Sequence, residues 1–96
     1  MGADVFMITA KGSDAHNAFI SAVREAQYDC GHGGYTGTIA EKDSFNIIPL
    51  KEGLEPREYA YKLIGDCDTR INSKWGPAGC FDLGGGRYFF FGWASC

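Results

Sequence analysis

The hydrophobic positions of this chain change period several times, and each change marks an element. Val5-Phe6-Met7-Ile8-Thr9-Ala10 is a run of β-formers, apolar on both faces, and predicts a first strand ended by Lys11-Gly12. Ala15, Ala18, Phe19, Ala22, Val23 and Ala26 then recur at spacings of three and four, the stripe of an amphipathic helix. Ser13 is placed as its N-cap, with Asp14 in the first turn and Gly31 as the C-terminal stop. Alanines on the stripe let the helix lie close to a sheet. Residues 35–42 and 44–49 read as two strands joined by a short turn near Asp43. Pro56 suits the first turn of a second helix, with Ala60, Leu63, Ile64 and Cys67 on its buried side. Residues 80–83 and 87–94, joined by Gly84-Gly85-Gly86, form a closing hairpin.

The order β-α-β-β-α-β-β predicts a single α+β domain over residues 1–96. Its expected form is a two-layer sandwich, a mainly antiparallel sheet of about five strands with two helices on one face. Such a sheet leaves its other face open. Along Tyr88-Phe89-Phe90-Phe91-Gly92-Trp93 alternate side chains point to opposite faces, so Phe89, Phe91 and Trp93 become an exposed aromatic patch and a homo-oligomer interface.

Composition narrows the function classes. With 45% hydrophobic and 22% charged residues the chain is globular rather than disordered. A net charge of −3 with acids and bases interspersed argues against general nucleic-acid binding, which needs concentrated Lys and Arg. No stretch has the length of a membrane span, and the N-terminus lacks the pattern of a signal peptide. Position 6 is Phe, against myristoylation of Gly2. The expected location is cytoplasmic. The 4 cysteines, Cys30, Cys67, Cys80 and Cys96, allow three disulfide pairings but are expected as thiols there.

The candidate chemistry concentrates in Cys30-Gly31-His32-Gly33-Gly34-Tyr35-Thr36-Gly37-Thr38. Its glycines look like a phosphate loop, yet a dinucleotide fingerprint follows a strand and opens a helix, and here the order is reversed. Gly-Lys-Ser/Thr is absent too, so both phosphate-loop readings fail. A turned loop remains, whose amides, with His32, Gly33, Gly34, Tyr35 and Thr36, can hold an anion or a ring. A purely structural helix-to-strand turn explains the same glycines. His32, with an ordinary pKa near ~6.5, is the one candidate general acid or base, with Asp29, Cys30 and Glu41 as neighbours in sequence. Cys30-x-His32 is a poor nucleophile pair and lacks the paired spacing of a structural zinc site. Neither a cofactor nor a metal is therefore expected. His16 reads as solvated, and Cys67 and Cys80 as small buried hydrophobes. Trp75, flanked by Gly76-Pro77, either plugs the core or offers a stacking surface. Asp66, Asp68 and Asp82 could meet near this loop, and a solvated surface explains them equally well.

Three stretches carry a resemblance that, together with the first strand and helix, covers most of the chain: residues 31–42 (Gly31-His32-Gly33-Gly34-Tyr35-Thr36-Gly37-Thr38-Ile39-Ala40-Glu41-Lys42), residues 74–80 (Lys74-Trp75-Gly76-Pro77-Ala78-Gly79-Cys80), and residues 90–95 (Phe90-Phe91-Gly92-Trp93-Ala94-Ser95). In these the chain resembles a group of small proteins of bacteriophages and some bacterial genomes. The resemblance assigns no catalytic residue. It implies an accessory protein that acts on host machinery, immune systems included, by binding and blocking it.

The expectation is a non-enzymatic binding module in the host cytoplasm. It would be an anti-defence inhibitor that blocks a host protein or sequesters a small nucleotide-like ligand, using His32, Gly33, Gly34, Tyr35, Thr36 and Trp75. Two other classes fit the same residues. One is a small enzyme with His32 as acid/base, oriented by Glu41 or Asp29. The other is a structural or assembly protein joined through its aromatic last strand.

Overall fold

The computed structural model describes residues 3–30, 38–50, 53–66, 71 and 76–95. It is an α+β fold in which β1 (Ala3–Lys11), α1 (Ala15–Cys30), a 3-10 helix (Ile39–Glu41), β2 (Phe45–Ile47), α2 (Pro56–Gly65), β3 (Ala78–Gly84) and β4 (Arg87–Ser95) follow in turn. The strands make one sheet in the order β1-β4-β3-β2. β4 lies at its centre, antiparallel to β1 from Ala3↔Ser95 to Lys11↔Arg87 and antiparallel to β3 on its other side.

Both helices form where the apolar spacing placed them, and their caps are local. The N-cap of α1 is Asp14, one residue beyond the expected Ser13. Its Oδ1 accepts the Asn17 backbone N–H at 2.8 Å, while the Asn17 side chain reaches back to Ser13 Oγ, also at 2.8 Å. A carboxylate that reaches the third helical N–H satisfies an orphan donor and complements the helix dipole. Pro56 opens α2, and Glu55 caps it by accepting the Glu58 N–H at 2.8 Å. Ala60, Leu63 and Ile64 are its buried side, and Cys67 falls outside the described residues. The closing hairpin is also as expected. Gly84, Gly85 and Gly86 have φ of 80°, 63° and 79°, the left-handed turn that glycine permits.

Two expectations are overturned by long-range pairing. Ile39–Glu41 forms a 3-10 helix where a strand over residues 35–42 was expected; residues 35–37 lie outside the described set. β2 therefore has no antiparallel neighbour before it and pairs in parallel with β3 (Phe45↔Ala78 to Ile47↔Cys80). Parallel neighbours need a crossover, which α2 supplies. Among the described residues the sheet is mixed and has four strands, where about five were expected.

The helices also lie on opposite faces of the sheet, not on one. Ala15, Ala18, Phe19, Ala22 and Ala26 of α1 pack with Phe6, Ala10, Ala78, Cys80, Phe90 and Ala94. Ala60, Leu63 and Ile64 of α2 pack with Ile48, Ile71, Phe81, Phe89 and Phe91. β4 is thus covered on both sides. Phe91 is fully buried and Phe89 is 5% exposed, while Trp93 is half-buried against the α2 cluster. The open aromatic face expected at Phe89, Phe91 and Trp93 does not exist, because α2 occupies it. Aromatic contacts lock each layer: Phe19 sits 5.0 Å from Phe45 and 5.6 Å from Phe90 on the α1 side. On the α2 side Phe81 stacks on Tyr59 at 5.4 Å and lies 4.7 Å from Phe91.

Candidate functional site

His32, Gly33, Gly34, Tyr35, Thr36 and Trp75 all lie outside the described residues. The structure does describe how both of their loops are anchored. On leaving the glycine-rich stretch the chain is pinned by Ile39, which is 1% exposed. Thr38 caps the 3-10 helix: its Oγ1 accepts the Ala40 N–H at 3.2 Å, and its carbonyl accepts the Glu41 N–H at 3.1 Å. The turn closes with the Lys42 N–H on Ile39 O at 3.0 Å.

Lys42 then turns inward. It is the one charged or polar side chain buried among the described residues, at 3% exposure. Its Nζ donates to the carbonyl oxygen of Gly76 at 2.8 Å. Gly76 follows Trp75 directly, so this bond ties the end of the glycine-rich stretch to the tryptophan loop. The tie is continued by Ala78 N–H on Ser44 O at 3.0 Å and by the first β2/β3 pair, Phe45↔Ala78. The described residues that follow the two stretches, Lys42 to Phe45 and Gly76 to Ala78, therefore meet at one end of the β2/β3 pair. Burial pushes the Lys42 ammonium down to about 8, because removing a charge from water favours the neutral amine. A lysine in that range keeps its proton at neutral pH, donates it in the hydrogen bond to the carbonyl, and gives it up from about pH 8 upward.

Other reactive groups stand apart from this junction. Cys80 is fully buried, and burial, then the charge of Asp82, pushes its thiol up to about 12. Such a thiol is inert, in keeping with its role as a small core residue. Asp82 itself accepts the Gly84 N–H at 2.8 Å and shapes the hairpin. Asp29 and His16 are exposed on α1, and Glu41 is half-buried in the 3-10 helix. Among the described residues no three of His, Cys, Asp and Glu converge as a metal site would require.

Lys42 is the residue that sequence reasoning missed. It closes the first landmark stretch, where it was expected only as the end of a strand over residues 35–42. Its burial follows only from the 3-10 turn that replaces the strand. No helix among the described residues is long and apolar enough to cross a membrane. No family model matches the sequence, and neither the curated proteins nor the solved structures compared with it give a match.

Proposed function

We propose that this chain is a non-enzymatic binding module whose working surface is the pair of moored loops. The carrying observation is the 2.8 Å bond from Lys42 Nζ to Gly76 O, which joins the residue closing the first landmark stretch to the one that follows Trp75. In this reading Tyr35 and Trp75 stack on a flat partner group, and His32, Thr36 and the amides of Gly33 and Gly34 hydrogen-bond to it. A nucleotide-like ligand offers both a ring to stack and an anion for the amides. A host protein is the other occupant that such a surface serves. The resemblance to small phage accessory proteins supports the biological setting, an anti-defence inhibitor that blocks or sequesters.

Native mass spectrometry of protein freshly purified from cells tests the reading. Extra mass that is released on denaturation identifies a sequestered ligand and its chemistry. Bare protein that gains no mass from added nucleotides removes the sequestering role, and a pull-down from host lysate that Tyr35→Ala with Trp75→Ala fails to weaken removes the blocking role at these loops.

A further inference from the structure

A second surface lies along β1, beside the residues that flank the glycine-rich stretch, Asp29 and Thr38. β1 is the terminal strand of the sheet; among the described residues no strand pairs with its outer side. Alternate N–H and C=O groups along that side face outward, a ready template for another strand. Natural edges are usually blunted by proline, lysine or a bulge. Here Val5, Phe6, Met7 and Ile8 carry none of these, and the pairing of β1 with β4 runs without a register shift. Beside this edge, on the α1 side, is a cavity of about 390 Å³. Val5 to Ile8, Ala26 and Ile39 form its apolar walls, and Glu25, Asp29 and Thr38 its polar ones.

Glu25 and Asp29 stand one helical turn apart, so both carboxylates face the same way. Both are exposed, and neither makes a hydrogen bond or ion pair with a described residue. Among the described residues no cation lines the cavity. Arg57 meets Met7 Sδ at 3.7 Å, but α2, which carries it, packs on the far face of the sheet, and Arg87 pairs with Lys11 at the other end of β1. We propose that an extended, basic segment of a partner protein adds as a strand along the outer edge of β1. One of its apolar side chains fills the cavity, and a Lys or Arg two residues away on the same face meets Glu25 and Asp29. Alternate side chains of an added strand share a face, so one short segment satisfies both demands.

A second copy of this chain fits less well. Antiparallel pairing of β1 with its own copy about a two-fold axis brings together residues of the same face. On the α1 face β1 carries Asp4, Phe6, Ile8 and Ala10, which offer no base to Glu25 and Asp29. The charge pattern selects a different, basic chain.

The probe is an end-blocked peptide alternating valine and lysine, titrated into the full chain and followed by fluorescence anisotropy and amide chemical shifts. Saturable binding with shifts confined to β1, Glu25, Ala26 and Asp29 is expected, weakening as salt rises. Glu25→Lys with Asp29→Lys, both on the exposed face of α1, should weaken binding by roughly tenfold and make a valine–glutamate peptide the better ligand. A peptide N-methylated at alternate amides should not bind, and it leaves the protein untouched. The proposal is overturned by no binding, by equal binding of the N-methylated peptide, by affinity indifferent to the charge reversal, or by sedimentation showing a dimer that buries the β1 amides.

Discussion

The ring of Phe91 lies over the bare backbone of Gly79, its partner across the β3/β4 ladder. A Cβ placed on Gly79 overlaps the far edge of that ring. The ring cannot swing aside, because it is fully buried, 4.7 Å from Phe81 and 6.1 Å from Phe89. Gly79→Ala should destabilise the fold by about 2 kcal/mol through overpacking. In urea unfolding, trimming the neighbour in Gly79→Ala with Phe91→Leu should cost less than the two single changes added together. Strict additivity would show that the ring and the glycine do not share the space.

Gly92 forms the matching pair on the α1 face, opposite Phe6, but for a different reason. A Cβ there would sit 3.6 Å from the Phe6 ring, which is ordinary contact. The constraint is the backbone, whose φ of 149° L-residues rarely adopt. Gly92→Ala should cost roughly 1–3 kcal/mol, and Phe6→Leu should restore none of it. Rescue by Phe6→Leu would make the constraint steric instead.

The cap of α1 separates two adjacent residues. Asp14→Ala removes the acceptor of the Asn17 N–H and should cost about 1 kcal/mol. Ser13→Ala removes only an exposed side-chain contact to Asn17 and should cost under about half of that. Equal losses in thermal unfolding would return the cap to Ser13.

Two buried groups oppose each other in the alkaline range. Lys42 is held near 8 against an ordinary 10.5, so below pH 8 the fold bears the whole cost of a buried ammonium, roughly 3 kcal/mol. Between pH 8 and 10.5 the unfolded chain keeps a proton that the folded one has lost, and stability rises with pH. Cys80 runs the other way. Its thiol titrates near 12 folded and near 9.0 unfolded, so its stabilisation is complete below pH 9.0 and is lost through pH 12. The wild type should gain stability from about pH 8 to 9, hold level to about 10.5, and then decline. Relative to it, Lys42→Met should lose the early gain, and Cys80→Ala should keep gaining to about 10.5. Parallel profiles for all three proteins would contradict the assignment.

The loop surface makes its own prediction. Tyr35→Ala and Trp75→Ala should abolish binding of the native partner and leave the melting temperature nearly unchanged. Lys42→Met releases the bond to Gly76 and should weaken the same binding by about tenfold. Collapse of the fold in the Tyr35 or Trp75 variants would instead make those loops structural plugs.

Local signals were legible and remote ones were not. Ala18, Ala22 and Ala60 announced helix faces through spacing alone, and three successive glycines announced the hairpin. Phe89-Phe90-Phe91 was read as one covered and one open face. An uninterrupted apolar run is also what a strand covered on both sides requires, and that is what β4 is. What decides between these readings is where α2 crosses, a non-local fact. The same holds for Phe45-Asn46-Ile47, whose parallel partner lies beyond a helix. At the candidate site the sequence marked both loops, but the lysine that moors one to the other carries no periodic signature.

The pairing of the first strand with the last sets a timetable. Thr9 faces Phe89, so β1 has no partner until nearly all of the described chain has been synthesised. At ordinary ribosomal rates that is a wait on the order of ten seconds. The central strand β4 follows every other described element along the chain, and both layers are built against it. Assembly therefore runs inward onto β4 from strands already waiting, and the nascent chain cannot secure its fold piecemeal from the N-terminus.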